Sequence, residues 1–340
     1  MAPRQPPEQR ILALFPGHGS QWPGMGADLL ASSAPFAAAI KYCDAWVEPA
    51  LGWSVREELA ANREQSRLDD IVVLQLTLFS IEVALSAAWR ERGVEPGAVL
   101  GTSLGELAAA YVAGALSLTD ALTIVRARAE LVAELRPAGG AVVVNVSEAD
   151  ALSLLDELPG EASISGLNGP ETTAFSGSPA AMETLLERAE ARGLYARAIR
   201  VEYPAHCALL DPVAGPLRDR IATIEPRKSR IPFYSTVRRA VVPGESLDPD
   251  YWVANLLEPV GASPTIQSAL RDGWTILLET TPHPIFRKPV EDDIAAVGAN
   301  AVHCATLRRD TPSAECLEAT LARLAERGWC ASRDPQTEGV

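Results

Sequence analysis

The residues best suited to covalent chemistry lie in one short segment, Gly101-Thr102-Ser103-Leu104-Gly105-Glu106. An apolar stretch, Ala98-Val99-Leu100, precedes it and an alanine-rich run, residues 107–115, follows. Strand, sharp turn and helix form the setting in which Gly-x-Ser-x-Gly becomes a nucleophile elbow. The two glycines let the backbone double back without a Cβ clash. Ser103 is then held clear of the sheet at the amino end of a helix. Unpaired N–H groups and the helix dipole favour a developing oxyanion there. A serine hydroxyl needs a base to take its proton, and histidine is the usual one. The chain offers His18, His206, His283 and His303. His18 stands between two glycines directly after the first apolar run, and His206 ends Tyr203-Pro204-Ala205-His206. His283 sits between two prolines that fix the backbone. His303 has no such setting and reads as structural.

A scaffold must bring these residues together. Residues 11–15 read as a buried strand ended by Pro16-Gly17. Residues 71–92 read as a helix apolar on most faces. After the elbow, Leu118-Thr119-Asp120 starts a helix with Thr119 as N-cap, which stops before Pro137. The texture then changes. A strand at 141–144, a helix at 147–158, strand-like residues at 162–175, a helix at 179–192 and a strand at 196–201 follow. This β-α-β-β-α-β order predicts a ferredoxin-like insert. Strands at 231–237 and 275–279 return to the larger unit. The expected fold class is therefore α/β: a larger α/β-hydrolase-like domain with a parallel sheet and a nucleophile elbow, plus the inserted subdomain. Its expected bounds are 1–138 and 206–310 for the larger unit and 139–205 for the insert, with a C-terminal helix and frayed tail at 311–340.

At 340 residues, 47% apolar and 22% charged, the chain has the composition of a globular protein with a full core. No uninterrupted apolar stretch nears the roughly 20 residues of a membrane helix. The first ten residues are polar and proline-rich with no signal core, so the expected location is cytoplasmic, with no membrane partner. Five scattered cysteines without a Cys-x-x-Cys pair argue for reduced thiols and against a disulfide frame or a metal site. A net charge of −14 argues against nucleic acid as a partner. Basic residues cluster at 227–230 and at Arg238-Arg239, as solvated loop charge or as a docking patch for an acidic partner.

Taken in order, these segments resemble malonyl-CoA:acyl-carrier-protein transacylases and the acyltransferase components of polyketide synthases. That family opens with Phe-Pro-Gly-Gln-Gly-Ser-Gln, matched by residues 15–21 except at His18. Its nucleophile motif, Gly-His-Ser-x-Gly-Glu, is matched by 101–106 except at Thr102. Val201-Glu202-Tyr203-Pro204-Ala205-His206 is similar to the segment ending in the family's catalytic histidine. Asn168-Gly169-Pro170, Ser176-Gly177, Tyr251-Trp252 to Asn255-Leu256, Glu258-Pro259-Val260 and Pro282-His283-Pro284 follow in family order, over roughly residues 10–310. The resemblance implies a Ser-His dyad, Ser103 as acyl acceptor and His206 as base and then acid. A backbone carbonyl, here that of His283, orients the His206 ring in place of an aspartate. The implied oxyanion donors are the Leu104 N–H and one from the His18 loop. Arg128, 25 residues after Ser103, takes the place of the arginine that pairs with a substrate carboxylate. Its neighbour Arg126 faces another way on the same helix. Thr102, Asn168, Tyr203 and Ala205 are placed beside the acyl group.

The implied reaction moves an acyl group, malonyl or methylmalonyl, from CoA through a Ser103 ester to the phosphopantetheine thiol of an acyl carrier protein or a synthase carrier domain. The setting is polyketide or fatty acid biosynthesis, with no bound cofactor. A discrete, trans-acting enzyme is expected. The departures at His18, Thr102 and 203–206 lie where the acyl group rests, and motivate a rival reading. In it an unusual acyl group moves between carriers or to a product hydroxyl. An α/β-hydrolase, esterase or thioesterase, shares the elbow but needs an acid such as Asp120 or Asp150, and its His-Gly-Gly-Gly loop is absent. A catalytically silent docking module is the third reading, and retention of Ser103 and His206 argues against it.

Overall fold

The computed structural model describes residues 10–156, 158, 162–199 and 203–329. The polar start at 1–9, Val201 and Glu202 of the family segment, Cys330 and the tail at 333–340 lie outside these residues. In chain order the strands are β1 (Ile11–Phe15), β2 (Ala98–Gly101), β3 (Gly140–Val144), β4 (Ala162–Gly169) and β5 (Thr172–Gly177). They continue with β6 (Ala196–Ile199), β7 (Phe233–Ser235), β8 (Ala240–Val242), β9 (Ile276–Glu279) and β10 (Val302–Ala305).

The first sheet has the order β10-β9-β1-β2-β7-β8. It is parallel from β10 to β7, and β8 pairs antiparallel at the edge. Strand β1 is buried along its whole length, as a central parallel strand covered on both faces must be. Its alternation divides the core. Ile11, Ala13 and Phe15 pack with the helices Ala34–Leu51, Ile71–Glu91, Gly105–Ala113 and Leu118–Leu135. Leu12 and Leu14 face the helices Ala262–Arg271 and Arg287–Val297 on the opposite side.

The helix Ile71–Glu91 is long and apolar enough to cross a membrane by length and composition, yet 78% of its apolar window is buried inside the protein. Asp70 caps it, accepting from the Val72 and Val73 N–H groups. In the helix Leu118–Leu135 the cap differs from the expectation. Ser117, not Thr119, accepts from the Asp120 N–H at 3.0 Å, and its hydroxyl donates to the Asp120 carboxylate at 2.6 Å. Ser117 thus caps the helix two residues earlier than the apolar period alone indicates.

The second sheet, β4-β5-β3-β6, is antiparallel throughout. With the helices Glu148–Leu155 and Pro179–Ala191 it follows the strand and helix order read from the sequence, and it has its own apolar core. Two hydrogen bonds tie it to the larger unit: Leu167 N–H to the Val260 carbonyl, 2.8 Å, and Val260 N–H to the Ser165 carbonyl, 3.0 Å. Arg239 reaches across the same seam to Glu148 at 2.8 Å, and Arg238 pairs with Glu258 at 3.2 Å. That basic pair is thus neutralised locally.

Candidate active site

Strand β2 ends at Gly101 and the next helix begins at Gly105, so residues 102–104 make the whole turn. Ser103 takes φ 50°, the left-handed region, which disfavours a side-chain-bearing residue by about 1–2 kcal/mol. The surroundings hold it there. The Thr102 N–H donates to the Phe15 carbonyl at 2.9 Å, and the Thr102 hydroxyl to the Pro16 carbonyl at 2.7 Å. A Cβ on Gly101 would lie 2.4 Å from the Glu106 backbone, and one on Gly105 would lie 1.9 Å from the Phe15 carbonyl oxygen. Neither position has room for a side chain.

Ser103 Oγ lies 2.9 Å from His206 Nε2, and His206 Nδ1 lies 2.9 Å from the Glu258 carbonyl. A carbonyl only accepts, so Nδ1 carries the ring proton and Nε2 is left to accept from the serine hydroxyl. Burial, then the Arg128 charge, pushes the His206 pKa down to about 4, against the Glu258 carbonyl, which raises it. A neutral ring facing a hydroxyl is the arrangement a general base needs.

Arg128 is almost fully buried and points at the same spot, its Nη2 3.4 Å from Ser103 Oγ and its Nη1 3.1 Å from Asn255 Oδ1. Its Nε has no partner among the described residues. Arg126 turns outward to Glu130 at 2.7 Å. One arginine of the pair enters the site.

Leu104 opens the first turn of the elbow helix, where N–H groups have no intrahelical acceptor. In the facing loop the Gly17 N–H donates to Glu82 at 3.0 Å and the Gly19 N–H to Gln21 at 2.8 Å. The His18 N–H is the remaining loop donor among the described residues. The His18 ring stands edge-to-face on Tyr203 at 6.3 Å, and its Nε2 is buried with no partner among the described residues. Burial, with Arg128 and His206, pushes its pKa down to about 3. Burial pushes the Glu82 carboxyl up to about 8, the Gly17 N–H opposing.

A cleft of about 360 Å³ opens beside Ser103, between the two sheets. His18, Thr102, Asn168, Tyr203, Ala205 and His206 all line it, with Gln21, Ile285 and Phe286. The Thr102 hydroxyl is already bonded to the Pro16 carbonyl. No group of three or more His, Cys, Asp or Glu side chains among the described residues could hold a metal ion.

The sequence profile of the acyl transferase domain family matches residues 13–329. The chain belongs to that family. It is 38% identical over 301 residues to a polyketide synthase, GfsB, of Streptomyces halstedii, a match that takes in 88% of this chain and 5% of that protein. The chain thus spans a small part of the length of the curated relatives it matches. Among solved structures, the acyltransferase domain from module 8 of the salinomycin polyketide synthase superposes with a TM-score of 0.92 at 35% identity, covering 95% of this chain and 77% of that one. A malonyl CoA-acyl carrier protein transacylase from Coxiella burnetii superposes with a TM-score of 0.82 at 25% identity, covering 93% of this chain and 98% of that one.

One expected residue of this acyltransferase is misplaced. The carbonyl that faces His206 Nδ1 is Glu258's and not His283's. The Pro282-His283-Pro284 turn does lie near the cleft, where the Pro282 carbonyl receives the Trp22 indole N–H at 3.1 Å. Its imidazole, however, accepts from the Arg309 N–H at 3.1 Å, on an exposed face. His303 bonds Glu279 at 2.6 Å inside the core. Asp120 and Asp150 each bond the serine that caps their own helix, and the group on His206 Nδ1 is a carbonyl, so the hydrolase triad has no acid.

The support behind the nucleophile has no local motif of its own. Glu106, fully buried, accepts from the Thr236 N–H at 2.7 Å, the Thr236 hydroxyl, the Tyr251 hydroxyl and Asn255 Nδ2 at 3.2 Å. Burial raises its pKa and these hydrogen bonds lower it. Tyr251 and Asn255, four residues apart on the helix Pro249–Leu257, were an available signal: that spacing puts two polar groups on one helix face.

Proposed function

We propose that Ser103 carries the acyl group and that His206 moves the protons, in a ping-pong transfer from an acyl-CoA to a carrier-protein thiol. The observation that supports this most is the 2.9 Å contact of Ser103 Oγ with a His206 ring whose tautomer is fixed by the Glu258 carbonyl. Oγ attacks the thioester carbonyl carbon as its proton passes to Nε2. The C–S bond breaks, and the departing sulfur takes that proton. The carrier thiol then attacks the ester, giving its proton to Nε2, and Ser103 Oγ leaves with it. The Leu104 and His18 N–H groups meet the oxyanion.

Arg128 is the reason to favour a donor with a free carboxylate, malonyl- or methylmalonyl-CoA. A buried guanidinium with donors unpaired gains most from a planar anion. Partners are then the acyl-CoA and a holo acyl carrier protein or synthase carrier domain, acting in the cytoplasm. We read the smaller unit as a ferredoxin-like insert at 139–205, between the 1–138 and 206–310 parts of the larger one, with 311–340 as a C-terminal appendage. The insert's β4–β6 face supplies the wall of the cleft opposite Ser103 and keeps water from the ester.

Intact-protein mass spectrometry after mixing with a panel of acyl-CoAs tests this, with Ser103→Ala as control. A malonyl or methylmalonyl increment, absent in the variant and discharged by a separate holo carrier, is the expected result. Departures at His18 and Thr102, both lining the cleft, favour a second reading, in which an unusual acyl group arrives on a carrier. Labelling by an acyl carrier and by no CoA thioester would select it.

A further inference from the structure

We infer that Glu106 and Asn255 are positioning residues for Arg128, and that they set how its guanidinium is presented to a substrate carboxylate. This rests on the reading of Arg128 as the carboxylate clamp. Asn255 joins three groups at once: its Nδ2 donates to the Ser103 carbonyl at 3.2 Å and to Glu106 Oε2 at 3.2 Å, and its Oδ1 accepts from Arg128 Nη1 at 3.1 Å. The orientation of this amide is decided by chemistry. A main-chain carbonyl cannot donate and a guanidinium cannot accept, so only one way round satisfies both sides.

Glu106 locks that choice. Each of its oxygens meets one group that can only donate, the Thr236 N–H on Oε1 and Asn255 Nδ2 on Oε2. The Thr236 and Tyr251 hydroxyls fill the remaining sites. Thr236 follows strand β7 and Tyr251 and Asn255 lie on the helix Pro249–Leu257, so two separate elements converge on a carboxylate rooted in the elbow helix. With Nη1 tied to Asn255, Nη2 and Nε remain on the Ser103 side for a ligand. The device holds one corner of the fork so that the other donors have a fixed direction.

A glutamine at 106 has one oxygen and one NH₂, and cannot satisfy two obligate donors. It either opposes the Thr236 N–H or turns Asn255 round, which sets an NH₂ against Arg128 Nη1. The expected consequence falls on discrimination, because neutral acyl groups do not use the fork. Misdirecting a charge-assisted hydrogen bond lowers a preference by about tenfold.

Single-turnover acylation of Ser103 by malonyl-CoA and by acetyl-CoA measures this as the ratio of the two kcat/KM values. Arg128→Ala is expected to erase the malonyl preference. Glu106→Gln and Asn255→Ala are each expected to reduce it about tenfold, with a much smaller change for acetyl-CoA. In the Arg128→Ala background, Glu106→Gln should leave the ratio where it is. Should Glu106→Gln fail to fold by circular dichroism, Asn255→Ala carries the same test while the Thr236 and Tyr251 hydrogen bonds to Glu106 stay in place. If Arg128→Ala leaves the ratio intact, the clamp fails and the positioning role falls with it. If Arg128→Ala erases the ratio while both other variants slow the two donors equally, Glu106 and Asn255 are merely structural and the inference is overturned.

Discussion

Behind Ser103 the polar atoms are paired and the backbone has no spare room. Glu106 has four donors, the Thr102 hydroxyl is bonded to Pro16, and Gly101 and Gly105 are each pressed against main chain. Around the Gly17–Gly19 loop and Tyr203, in contrast, His18 Nε2, Gln75 Oε1 and Glu82 Oε2 are buried without partners among the described residues. Gln75 reaches the Tyr203 hydroxyl at only 3.4 Å. Buried polar groups are normally satisfied, and exceptions concentrate where a ligand or ordered water completes the set. The contrast assigns the two sides different tasks. One fixes the nucleophile and, through Glu106 and Asn255, the Arg128 fork, and the other is left incomplete beside the cleft.

The most damaging way to probe that contrast is to disturb the paired side. Gly105→Ala puts a Cβ 1.9 Å from the Phe15 carbonyl oxygen, which belongs to the central strand and has nowhere to go. We expect destabilisation of about 4 kcal/mol or more, measured by chemical denaturation, and loss of acylation with it. A variant that keeps its stability would show that the elbow is looser than its packing indicates.

A milder disturbance is pH, which acts on His206 across the boundary between the two sides. As the proposed base, His206 must be neutral, and its pKa is pushed down to about 4 by burial and by Arg128. Acylation kcat/KM should therefore rise with pH through about 4 and be level above about 5. Arg128→Ala removes the second of those causes, so the limb should move up toward the ordinary 6.5, while burial keeps it below that value. Stability follows the same sign. His206 and His18, held near 4 and 3, bind protons less readily folded than unfolded, where the value is 6.5. Their contribution is complete above 6.5 and is lost as pH falls from there toward 4 and then 3. An acid limb near 6.5 in the wild type would mean that water reaches the ring freely.

What the residues disclose on their own divides along similar lines. The convergence of Ser103, His206 and Arg128 was legible because a local motif or a fixed spacing marks each of them. The strand and helix order over residues 140–199 was legible because glycine and proline break its apolar runs. Glu258 was not, because its contribution is a carbonyl, which every residue has, delivered 52 positions away from His206. His283 was the natural substitute, since proline on both sides makes a rigid turn that does come close to the cleft. The Asn255 link to Arg128 needed the tertiary fold, for 127 residues separate them. Side-chain types announce chemistry, whereas orientation comes from groups that leave no trace in composition.

The smallest effect is expected from His18→Gln, and it bears most directly on the unpaired side. The donor that the proposed mechanism takes from this residue is its main-chain N–H, which the substitution leaves alone. The ring it removes is neutral, since burial pushes it down to about 3, so no charge is lost beside Arg128. The flexible amide can find a partner that the rigid imidazole Nε2 does not have. Malonyl-CoA acylation should change by less than about threefold and stability by less than about 1 kcal/mol. The ranking of donors in the acyl-CoA panel should change more than any single rate. A collapse of all donors together would place His18 with Gly101, Thr102 and Gly105, among the groups that hold the elbow, and would erase the distinction between the two sides of the cleft.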